Sequence, residues 1–224
     1  MNEPVTIVMT VWLTTKQRIK VAQEALSSWV TNLKYDGELL LHIADDGSTL
    51  NWKPEKIWKG PITYSRQERH GVGASLNAGF RKAYETSPMI LYMVDDWRLD
   101  EPLDITPWVQ ALEENETMGI MRLGPPHPFL RGYVEMVTTN WQGWAMKLDP
   151  YGFCVGHRPM LFHKRWTDRY GDWIEDSNAC EVERLATVKW ADDPDRLGIY
   201  YALPHKFFHY DKSVLPNTSE IEPK

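Results

Sequence analysis

Ile43-Ala44-Asp45-Asp46-Gly47-Ser48-Thr49 and, 50 residues on, Tyr92-Met93-Val94-Asp95-Asp96 decide the fold. Each is an apolar run of strand length that ends in two acids. Glu38 to Ala44 and Met89 to Val94 are the strands these runs predict. Working back, Val5 to Trp12 is a β-branched run of the same kind. Lys16 to Leu33 carries Ile19, Ala22, Ala25, Leu26, Trp29 and Val30 at helical spacing. Ile62 to Ser65 is a short strand. Gly73 to Glu85 is a helix with Leu76, Phe80, Ala83 and Tyr84 on one face. This alternation predicts an α/β fold with a mostly parallel, Rossmann-like sheet flanked by helices. Ligands of such sheets bind beyond the carboxyl ends of the strands, where both acidic pairs stand.

Two carboxylates at one strand end repel each other unless a cation joins them. For Asp95-Asp96 a divalent metal with phosphate as co-ligand is one solution. A helix N-cap beside a solvated acid is the other. Asp45-Asp46-Gly47-Ser48 reads as a turn, or as a turn whose carboxylate accepts from the N–H of a nucleotide base.

In their order and spacing, Val5 to Trp12, Ile43 to Thr49, Gly73-Ala74-Ser75-Leu76-Asn77-Ala78-Gly79 and Tyr92 to Asp96 resemble the GT-A glycosyltransferases, specifically the large family-2-like group. The resemblance covers about residues 5–100. It implies a nucleotide-sugar donor, UDP-linked by preference, and a Mn²⁺ or Mg²⁺ ion. It also implies roles. Thr10 and Trp12 lie where the first-strand loop contacts the nucleoside, with Trp12 stacking on the base. Asp46 matches the acid that accepts from the base N3–H. Arg69 falls where a basic residue approaches the donor phosphates. Asn77 and Gly79 match positions that let their helix pack near the donor. Asp96 matches the metal ligand and Asp95 the contact to ribose or sugar. Trp97 stands where many relatives have a third acid, leaving fewer protein ligands for a metal.

The second half matches that pattern less well. Trp108 to Asn115 predicts a helix, Gly124 to Pro128 a loop, Glu181 to Val188 a short helix and Asn217 to Lys224 a loose tail. The expected organisation is one domain over 1–224, with a nucleotide-sugar half (1–100), an acceptor half (101–215) and a tail (216–224). The resemblance implies a catalytic carboxylate at the start of a helix after the acceptor loop. Glu181 aligns best, with Glu183 and Asp176 as rivals; a retaining enzyme would need no such base. His209 is the candidate for a further metal ligand from the aromatic stretch His205 to Tyr210, or else a half-buried histidine. Gly156 to Trp166 is basic and aromatic. It reads as a contact for an anionic acceptor or as a strand with a charged solvent face. Trp141 and Trp144 suit a sugar-stacking wall or the core.

Composition bounds the class. The 224 residues are 42% hydrophobic and 25% charged, which excludes wholesale disorder. The net charge of -6 argues against a general nucleic-acid coat. Two cysteines, Cys154 and Cys180, make no disulfide framework, so a reducing compartment and a cytoplasmic location are expected, host cytoplasm if the chain is viral. No run reaches the ~20 apolar residues of a membrane span. Eleven Trp, ten Tyr and six Phe favour surfaces that stack on sugars or bases, and this compact, Trp-rich style resembles virus-encoded members of the group. The expected activity is hexosyl or pentosyl transfer to an acceptor hydroxyl on a glycan, a protein or a modified DNA base. A nucleotidyltransferase would need a Gly-rich basic loop after the first strand, and Trp12-Leu13-Thr14-Thr15 is not one. A carbohydrate-binding module would need neither acidic strand end.

Overall fold

The computed structural model describes residues 2–123, 134–138, 144–148, 157–202 and 206–209, with backbone alone in 134–138, 144–148 and 208–209. The Gly124–Pro128 loop, Trp141, Cys154, His205 and the tail lie outside the described residues.

The first half runs β1 (Val5–Val11), α1 (Lys16–Asn32), β2 (Leu33–Lys34), β3 (Leu39–Asp45), β4 (Ile62–Arg66), α2 (Gly71–Ala83), β5 (Met89–Val94) and β6 (Trp97–Leu99). It continues with β7 (Leu103–Asp104), α3 (Thr106–Glu114), β8 (Met118–Arg122), β9 (Val134–Thr138), β10 (Trp144–Leu148) and β11 (Met160–His163). The chain then forms α4 (Lys164–Tyr170), α5 (Ala179–Ala191), β12 (Gly198–Ala202) and β13 (Phe207–His209). The strands and helices expected over residues 5–115 are present within a few residues of their predicted ends. Of the Gly156 to Trp166 stretch, residues 160–163 form β11 and 164–166 open α4; Gly156 lies outside the described residues.

One nine-stranded sheet holds both halves, in the order β4-β3-β1-β5-β11-β8-β12-β10-β9. The first four strands are mutually parallel. β11 enters antiparallel between β5 and β8, stitching the second half onto the first. From β1 the chain crosses to β3 on one side and later returns to β5 on the other. The gap between the β1 and β5 ends is therefore the point where strand order reverses, the place such sheets use for ligands.

Period-two alternation sorts the side chains of β5 onto two faces. Met89, Leu91 and Met93 join α1 and α3 in one core; Ile90 and Tyr92 join α2, α4 and α5 in the other. Thr15 caps α1 by accepting from Arg18 N at 3.1 Å, and Ala22, Ala25, Leu26 and Trp29 form its buried stripe. α2 lies close on the sheet because Gly79 has no side chain: a Cβ there would come within 2.7 Å of Val8 and 3.2 Å of Ala44.

His42, fully buried on β3, bridges Thr63 Oγ1 at 2.8 Å and Ser65 Oγ at 2.9 Å. Burial lowers its pKa from 6.5 to about 4. The fold thus holds it neutral, and the stability this confers is complete above pH 6.5 and lost as pH falls toward 4. Full protonation would cost up to about 3 kcal/mol. Urea unfolding at neutral pH and near pH 4.5 should show a smaller acid loss in His42→Asn than in the wild type. His163, also lowered to about 4 by burial, titrates alike in both. An equal loss in both proteins would contradict this account.

Candidate active site

Each residue of the Asp45-Asp46-Gly47-Ser48 turn has a separate task. Asp45 Oδ1 accepts from Ser48 N at 2.8 Å, closing the turn on itself. Ser48 Oγ accepts from Leu13 N at 2.7 Å, tying the turn to the segment that leaves β1. Gly47 sits at φ 77°, a left-handed conformation glycine adopts without steric cost, and a Cβ there would stand 3.0 Å from Arg69 N. Asp46, 8% exposed, accepts from His70 N at 3.1 Å and Gln67 Nε2 at 3.3 Å through Oδ1. It thereby shapes the 67–70 loop that leads into α2. On that loop Arg69 lays its guanidinium over the Trp12 ring, 3.7 Å from the ring centre. Asp46, Trp12 and Arg69, separated in sequence, form one cluster at the β1 and β3 ends.

Asp95 and Asp96 continue the alternation of β5 and part. Asp95, 1% exposed, follows Met93 to the α1 face. There Arg18 Nη2 donates to both its oxygens, at 2.7 and 2.8 Å. Burial pushes the Asp95 carboxyl up, Arg18 opposes the shift, and Asp96 adds to it. Asp95, expected at the ribose or sugar, is instead committed to Arg18. No local pattern marks this pair, whose members are 77 residues apart.

Asp96 belongs to the opposite side. Its charge is felt by Tyr92 and His157, and so is that of Glu183. Tyr92 OH lies 3.1 Å from His157 Nδ1 and 3.5 Å from Thr10 Oγ1. Burial raises the Tyr92 pKa and lowers that of His157, so both are neutral near pH 7. Thr10 thus faces this polar cluster. His209 pairs in register with Trp97, which sets its backbone beside the residue after Asp96.

On α5 the two rival carboxylates separate. Asn178 caps the helix by accepting from Glu181 N at 3.0 Å. The Glu181 carboxylate is gripped by Arg184, at 2.8 Å from Nε and 2.6 Å from Nη2, which lowers its pKa. Glu183 instead turns inward, and its Oε1 accepts from His157 N at 2.6 Å. Glu183 thus shares its surroundings with Asp96, while Glu181, the residue the resemblance favoured as base, is held in an ion pair with Arg184. The other rival, Asp176, is exposed and pairs with His70 at 2.8 Å. Spacing could not separate Glu181 from Glu183, because the answer depends on which face of α5 meets residue 157.

Asn77 also differs from expectation. It is 2% exposed, and its amide donates to Trp173 O at 2.9 Å and Glu175 Oε1 at 2.7 Å while accepting from Trp173 N at 2.8 Å. It pins the 171–178 segment, which carries the chain to α5, along α2. It thereby holds the chain that leads into α5; Gly79 is the residue that lets α2 lie close to the sheet.

Among the described residues no three His, Cys, Asp or Glu side chains converge as a metal cluster, and no helix is long and apolar enough to cross a membrane. Asp96 stands at the β5 end with its Oδ1 buried, and His209 is near it by backbone register alone. A carboxylate donor of this kind suits Mn²⁺ or Mg²⁺, with the rest of the coordination sphere left to diphosphate and water.

No protein-family model matches the sequence, and no curated protein does. Solved structures do. The chain is similar to S. aureus TarS residues 1–349 in complex with UDP-GlcNAc, with TM-score 0.57 and 16% identity over 90% of this chain. It is also similar to GalNAc-T7 with UDP, GalNAc and Mn²⁺, with TM-score 0.61 and 13% identity over 93% of this chain. It spans 58% and 44% of the length of those two chains. The likeness is one of fold, and the parallel β4-β3-β1-β5 core, with acids at the β3 and β5 ends, is the GT-A glycosyltransferase fold.

Proposed function

We propose that the chain is a glycosyltransferase that moves a hexosyl or pentosyl group from a nucleotide-sugar, with UDP as the preferred carrier, to an acceptor hydroxyl. The observation that carries this reading is the placement of Asp46, Trp12 and Arg69 on one side of the β1–β5 gap and Asp96 on the other, on a GT-A fold. The acceptor classes that fit are a soluble glycan, a protein and a hydroxylated DNA base. Both structural neighbours hold UDP or a UDP-sugar, and GalNAc-T7 holds Mn²⁺ as well.

In this reading the base lies against Trp12 and donates its N3–H to Asp46. Asp96 and His209 would hold a divalent metal, which supplies positive charge to the diphosphate as it leaves. Glu183 takes the proton of the acceptor hydroxyl as that oxygen bonds to the anomeric carbon and the carbon–phosphate oxygen bond breaks, inverting the configuration. Arg18 keeps Asp95 buried and the end of β5 in place. The protein thus acts by orienting two substrates and placing charge where it develops.

A thermal-shift screen of nucleotide sugars with Mn²⁺ tests the reading, because a donor bound to the native state alone raises the melting temperature. Release of free nucleoside diphosphate then separates transfer from mere binding. No stabilisation by any nucleotide sugar would dismiss it. Asp46→Asn keeps an oxygen for His70 N but loses the charge that meets the base. It should weaken UDP itself by about 1.5–3 kcal/mol. Unchanged UDP affinity by calorimetry would remove Asp46 from the base site.

A further inference from the structure

Arg69 immediately precedes His70, the N-cap of α2. A cation at a helix N-terminus faces the positive end of the helix dipole. Arg18, in the same electrostatic position on α1, is answered by Asp95. Arg69 meets the electron-rich face of Trp12, with its guanidinium carbon 3.7 Å from the ring centre. That separation is van der Waals contact, so nothing else fits between the two planes. The 67–70 backbone has little freedom to move the arginine away. Gln67 N donates to Asp45 O at 3.2 Å, Gln67 Nε2 and His70 N both hold Asp46, and the backbone beside Arg69 closes on Gly47. What can move is the exposed Arg69 side chain.

A base that gives its N–H to Asp46 and stacks on this face of Trp12 must therefore lift the guanidinium off. The freed cation then stands in solvent at the positive end of α2, where the helix dipole disfavours it and an anion beside it is stabilising. A nucleoside brings no anion; a nucleoside diphosphate brings one covalently tied to the base that displaced it. We propose that Arg69 is a placeholder on Trp12 that the donor's base evicts and the donor's diphosphate recaptures. It makes the site discriminate against phosphate-free nucleosides. This rests on the donor-site reading above and deepens it: Arg69 opposes the base and favours the phosphates, so its removal has opposite effects on two ligands.

The test measures uridine by ligand-observed NMR and UDP by calorimetry on the wild type, Arg69→Ala and Arg69→Lys. In Arg69→Ala the exposed cation–π contact no longer competes, and uridine should bind about two- to fivefold tighter. UDP should bind on the order of tenfold weaker, having lost a charged donor to its phosphates. Arg69→Lys, a compact cation without the planar fork, should recover part of the UDP affinity while keeping most of the gain for uridine. The exposed side chain carries no core packing, and an unchanged melting temperature checks that each variant folds. If UDP binds the wild type but uridine binds Arg69→Ala no more tightly, the placeholder role is overturned and the donor site stands. If UDP binds neither the wild type nor the variants, the donor-site reading falls and the placeholder with it.

Discussion

Asp96→Asn should reduce transfer by on the order of 10³-fold or more, with the melting temperature nearly unchanged. The substitution keeps the shape of a side chain at a strand end but removes the negative charge offered to a divalent metal. That metal is worth several kcal/mol to a departing diphosphate. Mn²⁺ binding, followed by calorimetry in the presence of UDP, should fall with the activity. The neighbouring substitution should fail differently. Asp95→Asn leaves Arg18, 12% exposed at its side chain, buried against a neutral amide. Breaking such a pair costs about 3–5 kcal/mol of stability, so this variant should melt early before any loss of turnover is considered. The two adjacent acids thus separate by assay, one by rate and one by stability. An Asp96→Asn enzyme that works at the wild-type rate in EDTA-treated buffer would show that this acid holds no catalytic metal.

Glu183→Gln should lower kcat by roughly 10²–10⁴-fold, the usual value of a proton acceptor in the transition state. The glutamine oxygen can still accept from His157 N, so the contact between α5 and residue 157 survives and donor affinity should not change. Glu181→Gln should stay within a few-fold of wild type, since it only loosens an exposed ion pair with Arg184. The reverse outcome would return the base to the residue favoured by sequence alignment. An NMR spectrum of the product with the donor's anomeric configuration retained would exclude a base role for either acid.

The parallel core could be read without coordinates because its cause is local and periodic. Continuous apolar runs at Val5 to Val11 and Met89 to Val94 demand burial on both faces. The stripe from Ala22 to Trp29 demands a sheet to cover it, and Asp-Asp-Gly-Ser can only leave a strand by a turn. The roles of Asp46 and of the basic residue before α2 came from the family resemblance and not from these runs, which read Asp45-Asp46 equally well as a turn. What the runs do set is where a sheet of this kind reverses its order, and so where its ligands bind.

Partners across long sequence separations could not be read this way. Arg18 and Asp95 are 77 residues apart, Asn77 and Trp173 are 96 apart, and Glu183 meets the backbone of His157 across an antiparallel insertion. β11 slips between β5 and β8, so the second half of the chain is set beside the first by sheet pairing that no local period encodes. Adjacent acids at a strand end look equivalent in one dimension. Pleating sends Asp95 to α1 and Asp96 to the opposite side, and only the helix waiting there decides that Asp95 is paired with Arg18. The same holds for Glu181 and Glu183, two residues apart on a helix and so about 200° around it. A helical period places them on different sides, but only the packing of α5 against residue 157 determines which side is the inner one.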